Sequence, residues 1–185
     1  MSNQVKFGKN ELKIYNKKFV KFISHSEIKN RIKVISDEIK RDYKGKEPVI
    51  VVILKGAIFF AAELLKNLDF PLRVETLKAK SYGNRMKSSG NVELFITCED
   101  LEGRDIILVE DIIDTGLTIS TVVKELLNYK PNSIKIASLL LKTEKFKVDL
   151  KIDYCGFEIP DRFVIGFGLD FAELGRNLKH IYILE

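Results

Sequence analysis

Long apolar runs are scarce in this chain. The longest aliphatic stretch, Val49 to Leu54, is far too short to cross a bilayer and reads as a buried strand. Met1 to Asn10 is polar, with neither an apolar core nor a cleavage signal, so no targeting segment is expected. Cysteine is nearly absent. Cys98 and Cys155 lie far apart and form no Cys-x-x-Cys pair. Both are expected to be reduced in a cytosolic protein, with a disulfide between them as the alternative. Internal repeats, low-complexity tracts and linkers are also missing. No Gly-x-x-x-x-Gly-Lys-Ser/Thr loop occurs, which excludes the P-loop nucleotide triphosphatases. Gly166 and Gly168 form a Gly-x-Gly, but Phe171 stands where a dinucleotide fingerprint needs its third glycine.

What is there suffices for one domain over residues 1–185. A chain of this length buries roughly 70% of its extended surface on folding, so its core needs no staples. The net charge of +5 is unevenly spread. Residues 1–47 hold 13 Lys and Arg against 6 Asp and Glu, giving +7, and the remainder holds 18 against 20, giving −2. That basic quarter could steer an anion or touch nucleic acid. Its interspersed acids fit solvated surface better.

The densest chemistry lies in Ile106 to Thr118, Ile-Ile-Leu-Val-Glu-Asp-Ile-Ile-Asp-Thr-Gly-Leu-Thr. Four apolar residues suit a buried strand, with Glu110 and Asp111 at its end. Asp114, Thr115, Gly116 and Thr118 then form a small loop. Beyond it, Ile119, Val122, Val123, Leu126 and Leu127 recur at helical spacing. Loop amides and a helix N-terminus attract a phosphate, and carboxylates accept hydrogen bonds from sugar hydroxyls. Asp114 or Thr115 could instead simply cap the helix. Capping alone does not account for two adjacent acids, a third acid three residues on, and Thr-Gly-x-Thr. The same spacing lacks the Asp-x-Asp nucleophile pattern of a phosphatase.

Elsewhere, Ser24 to Arg41 reads as an amphipathic helix, with a Ser24–Glu27 capping box and an Ile28, Ile32, Ile35, Ile39 face. Strands are expected at Pro48 to Leu54, Leu72 to Ala79, Val92 to Thr97, Arg104 to Val109, Ile134 to Leu141, Asp153 to Glu158, Phe163 to Gly166 and Ile181 to Leu184. Helices are expected at Ala57 to Leu68 and Ile119 to Asn128, and a polar loop at Lys80 to Asn91. This alternation predicts an α/β fold with a mainly parallel central sheet flanked by helices. Ligands of such sheets bind beyond the carboxyl ends of the strands, so Lys55-Gly56 and Glu110 to Thr118 should face one crevice.

Leu-Lys-Gly at 54–56, Ser-Tyr-Gly at 81–83, the ten residues 109–118, Leu-Leu-Lys at 140–142 and Gly-Phe-Glu-Ile-Pro-Asp-Arg-Phe-Val-Ile-Gly at 156–166 occur in that order. In this order they resemble the hypoxanthine-guanine phosphoribosyltransferases, bacterial type. The resemblance runs from the Ser24 helix to the end. It implies a type I phosphoribosyltransferase fold with a small hood from the terminal segments. The implied reaction is purine salvage: 5-phosphoribosyl pyrophosphate (PRPP) and hypoxanthine or guanine give IMP or GMP and pyrophosphate, with Mg2+. Its oxocarbenium-like transition state calls for positioning and electrostatics rather than a nucleophile.

The resemblance assigns roles residue by residue. Glu110 and Asp111 would engage ribose hydroxyls and magnesium. Asp114 would take the proton of the purine imidazole nitrogen. Asp114, Thr115, Gly116, Leu117 and Thr118 would wrap the 5-phosphate. Lys55 and Gly56 would hold pyrophosphate, behind a peptide that is cis in some members, and Arg176 would reach the same group. Lys142 would donate to the purine six-oxygen, Phe163 would stack on the base, and Val164 would offer it main-chain contacts. Asp170 would sit near a second magnesium and the purine. Ser81, Tyr82 and Gly83 would belong to a mobile lid. Gly175 should loosen the backbone before Arg176, and His25 and His180 match no catalytic role. A homodimer or homotetramer in the cytoplasm is implied, with small-molecule substrates and no membrane. A PRPP-sensing regulator that binds nucleic acid is the competing function. It would have no need of Asp114, Lys142, Phe163 and Asp170 together.

Overall fold

The computed structural model describes residues 5–8, 10–81, 92–96 and 100–185. Its main sheet contains β4 (Val49–Leu54), β5 (Arg73–Ser81), β6 (Val92–Ile96), β7 (Asp105–Ile113), β8 (Ser133–Leu141) and β9 (Tyr154–Glu158). The order is β6-β5-β4-β7-β8-β9. Five strands are parallel, and β6 runs antiparallel to β5. Both faces are covered, which is why the strands read as continuous apolar runs. Ile50, Val52, Ile107 and Val109 pack with α1 (His25–Asp42) and α2 (Ile58–Leu65) on one face. Their alternates Val49, Val51, Ile106 and Leu108 pack with α3 (Leu117–Leu127) on the other. The expected α/β architecture is therefore present.

The expected helix at Ser24 forms as α1. Ser24 Oγ accepts from the Glu27 amide and the Glu27 carboxylate accepts from the Ser24 amide, a complete capping box. Ile28, Ile32, Ile35 and Ile39 are all fully buried. Arg31 leaves the same helix to donate to the Cys155 and Gly156 carbonyls, which occupies hydrogen-bonding groups of strand β9 at the end of the sheet. None of the described helices is long and apolar enough to cross a membrane.

A second, antiparallel sheet forms the hood, in the order β1-β2-β3-β11-β10. It joins β1 (Val5–Phe7), β2 (Glu11–Ile14) and β3 (Lys17–Ile23) to β10 (Val164–Ile165) and β11 (Ile181–Leu184). The terminal segments thus pair with each other, as the resemblance implied. The three N-terminal strands themselves were not expected, because lysines masked a two-residue rhythm. Leu12 and Ile14 are buried while Glu11 and Lys13 are exposed. With Phe19, Ile165 and Tyr182 they form the hood's own small core.

Two boundaries differ from expectation in ways that matter. Strand β7 does not stop at Val109. Its ladder with β8 continues through Glu110–Ser138 to Ile113–Leu141, so the acidic pair lies within the strand. Helix α2 ends at Leu65, and residues 66–68 form short turns closed by the Asn67 and Leu68 amides.

Candidate active site

The β4–β7 ladder ends at the pair Val52–Val109, while β7 runs on beside β8. Past that point Glu110 Oε1 accepts from the Asp111 amide at 3.1 Å, and Asp111 Oδ1 from the Ile112 amide at 3.0 Å. Both acids are buried. Burial pushes the Glu110 carboxyl well above its usual range, and the Asp111 charge beside it pushes the same way. Asp111 leans on Gly56: a Cβ there would run into its carboxylate, so that position has room only for glycine. The Leu54–Lys55 peptide preceding Gly56 is cis.

The loop after β7 turns at Gly116, which has φ +86. A Cβ there would also strike Val148 and stand 2.9 Å from Phe146. Gly116 offers helix α3 no side-chain cap, the first turn holds no acid, and the Leu117 amide has only a long 3.4 Å bond to Thr115 Oγ1. The N-terminus of α3 is therefore left to attract an anion. Glu110, Asp114, Thr115, Gly116 and Thr118 line a depression of about 340 Å³ over this loop and helix start.

Lys142 follows β8, and its amide donates to the Ile113 carbonyl at 3.0 Å. It is a buried cation, only 8% exposed. Its ammonium lies 3.2 Å from Asp114 Oδ2 and 3.3 Å from Asp161 Oδ1. Phe163 and Val164 come from the hood. Val164 pairs with Ile183 in β10. Phe163 leaves 42% of its surface exposed and meets Phe171 edge-on at 5.8 Å. Asp111, Asp114, Lys142, Phe163, Val164 and Asp170 line a second depression of about 630 Å³. Ile112 and Asp114 border both hollows, so the two adjoin.

A third group sits beside Gly56. A Cβ on Gly168 would collide with the Gly56 carbonyl, so the segment leading to Asp170 lies directly on the Lys55-Gly56 turn. Arg176 donates to the Gly168 carbonyl at 2.8 Å and pairs with Asp170 at 2.6 Å. Its Nε is buried without a hydrogen-bond partner among the described residues. Gly175 does hold a left-handed conformation, φ +98, yet Arg176 is well fixed. Lys55 reaches Glu173 at 3.3 Å. Ser81 ends β5, and Tyr82 and Gly83 lie outside the described residues. Away from these groups, the His25 amide donates to His180 Nδ1 at 2.9 Å.

Three charged neighbours escaped the sequence reading: Lys145, Asp161 and Glu173. Asp161 had a weak signal, since Pro160-Asp161 marks a turn right after a strand. Lys145 and Glu173 had none, because isolated surface charges carry no periodicity.

Comparison with known proteins agrees with this geometry. Residues 23–172 match the phosphoribosyl transferase domain family. The chain is similar to a hypoxanthine-guanine phosphoribosyltransferase of Aquifex aeolicus (strain VF5), 42% identical over 174 residues, covering 93% of this chain and 98% of that one. It is 45% identical over 165 residues to the Bacillus subtilis (strain 168) protein of the same name, covering 88% and 91%. A crystal structure of a hypoxanthine-guanine phosphoribosyltransferase from Bacillus anthracis superposes with a TM-score of 0.84 at 37% identity, covering 89% and 98%. The chain belongs to the hypoxanthine-guanine phosphoribosyltransferase family, and it is a phosphoribosyltransferase.

Proposed function

We propose that this chain, acting as one domain, salvages purines by moving the 5-phosphoribosyl group of PRPP onto hypoxanthine or guanine. The observation that carries this reading is the shared border of the two hollows. A phosphate-friendly loop and a pocket with an aromatic wall and a buried ammonium meet at Asp114. A sugar phosphate in one and a base in the other would bring the ribose anomeric carbon and a ring nitrogen together beside that carboxylate.

In that arrangement Thr115 to Thr118 hold the 5-phosphate with backbone amides. Glu110 and Asp111 accept from ribose hydroxyls. Lys55, Gly56 and Arg176 receive the departing pyrophosphate. Phe163 stacks on the base, Val164 offers main-chain groups, and Lys142 donates to the six-oxygen. An ammonium only donates, so it discriminates against a six-amino group. The anomeric carbon–oxygen bond to pyrophosphate breaks, the carbon–nitrogen bond forms, and Asp114 takes the nitrogen's proton. Most of the rate enhancement comes from holding the partners in line.

The donor chemistry suits a magnesium ion, although no three carboxylates converge on one point among the described residues. Glu110, Asp111 and Asp170 supply hard carboxylate oxygens, two of them lining the base hollow and one the phosphate hollow. When bound, the ion would neutralise pyrophosphate charge. Ser81, Tyr82 and Gly83 would contribute to a lid. A cytoplasmic homodimer or homotetramer completes the reading. The hood gives the nucleic-acid-binding alternative partial support only: Lys18 is paired with Glu11 and Glu185, while Lys13 and Lys17 are exposed.

The test is a pair of measurements on Asp114→Asn. PRPP affinity should stay within about twofold, while magnesium-dependent IMP formation should fall about 10²-fold or more. Unchanged turnover would remove Asp114 from the proton-handling role.

A further inference from the structure

The Lys142 ammonium belongs to a closed ring of alternating charge. Lys142 contacts Asp114 at 3.2 Å and Asp161 at 3.3 Å. Lys145 contacts Asp161 at 2.8 Å and closes the ring on Asp114 at 3.8 Å. Two cations face two carboxylates, so the ring is neutral. One short turn, in which the Lys145 and Phe146 amides both donate to the Lys142 carbonyl, sets Lys145 beside Lys142. Asp161 arrives from the turn after β9, whose approach is fixed by the Ile159 amide donating to the Leu141 carbonyl at 2.9 Å.

This ring addresses a difficulty in the reaction described above. To donate to a purine oxygen, the Lys142 ammonium must turn from its 3.2 Å contact with Asp114. Lys142 is buried, however, and a buried cation without a partner is strongly unfavourable. Asp161 offers a second acceptor on the far side. Lys145 in turn satisfies Asp161, holding its carboxyl below the usual range with Lys142 adding to the effect.

We propose that Asp161, held by Lys145, is a positioning residue that lets Lys142 pass from Asp114 to the purine oxygen without losing a carboxylate partner. Base binding then trades the Lys142–Asp114 contact for a Lys142–oxygen contact, while Lys142–Asp161 persists. The same exchange leaves Asp114 facing the more distant Lys145, at 3.8 Å. Asp161 and Lys145 line neither hollow, so they act through the side chains of Lys142 and Asp114 and not on the substrate.

This inference rests on the phosphoribosyltransferase reading, and the experiment separates the two. Steady-state kinetics with hypoxanthine and PRPP are measured for the parent, Asp161→Asn, Asp161→Glu, Lys145→Met, Lys145→Arg and the Asp161→Asn/Lys145→Met double variant. Thermal melts confirm folding. Asp161→Asn should raise the hypoxanthine KM about tenfold, with the PRPP KM within about twofold. Lys145→Met should give a smaller effect of the same kind, and Lys145→Arg and Asp161→Glu should recover most of each loss. In hypoxanthine KM the double variant should be no worse than Asp161→Asn alone, since Lys145 reaches Lys142 through Asp161, whereas its 3.8 Å contact with Asp114 would show in kcat. An unchanged hypoxanthine KM, equal losses for both substrates, or additive hypoxanthine KM effects in the double variant overturn the inference while leaving the enzyme reading intact. A parent that forms no nucleotide overturns both.

Discussion

Gly116 shows how one missing side chain shapes the phosphate hollow. Its left-handed backbone and the crowding of Val148 and Phe146 leave no space for a methyl group. Gly116→Ala should destabilise the fold by about 1–3 kcal/mol and weaken PRPP binding more than purine binding. Urea melts and substrate titrations check both, and an unperturbed PRPP affinity would sever the loop from the phosphate. Lys142→Ala should do the reverse, raising the 6-oxopurine KM about tenfold or more with little change for PRPP. Equal losses for both would argue against its place in the base pocket. At this scale the sequence was legible where residues carry motif spacing. Glu110, Asp111, Asp114 and Gly116 stood out from their order alone. Asp161 and Lys145 did not, because their meaning is a distance to Lys142 that only the folded turns create.

Among the elements, α1 was the most legible, since caps and apolar period agree. Ser24 donates nothing to the active site, so Ser24→Ala should cost about 1 kcal/mol and lower the thermal midpoint by about 2–4 °C with turnover retained. A variant as stable as the parent would mean the box is redundant with the packing of Ile28, Ile32, Ile35 and Ile39. The hood strands were the least legible. Their lysines fit either a solvated segment or the open face of a sheet, and only the partners β10 and β11, far away in sequence, decide between these. The extension of β7 past Val109 was hidden for a related reason. Acids usually end a buried strand, but here β8 still supplies a ladder through Ile113. That extension carries Glu110 and Asp111 into the interior and sets Asp114 at the strand's end, beside Lys142.

The whole molecule is two sheets facing one cleft: the parallel sheet brings the acids, the loop and Lys142, and the hood brings Phe163 and Val164. At the far side, Asp42 at the end of α1 accepts from the Tyr154 hydroxyl at 2.6 Å and from Lys135 at 2.7 Å. Burial pushes the phenols of Tyr43 and Tyr154 well up, and for Tyr154 the Asp42 hydrogen bond adds to it. Raised folded-state values mean that their contribution is complete below the unfolded value of about 10 and is lost as pH rises beyond it. The urea midpoint should therefore hold between about pH 7 and 9 and fall above about pH 10, and Tyr43→Phe should make that fall shallower. A midpoint that rises above pH 10 would contradict the burial of these phenols. The function itself rests on one cleft joining a phosphate hollow to an oxygen-reading base pocket. Its most direct test is a magnesium-dependent assay with PRPP and hypoxanthine, guanine, xanthine and adenine in parallel. Nucleotide should form from hypoxanthine or guanine and not from adenine. Nucleotide from adenine alone, or salt-sensitive nucleic-acid binding with no nucleotide from any base, would contradict the account.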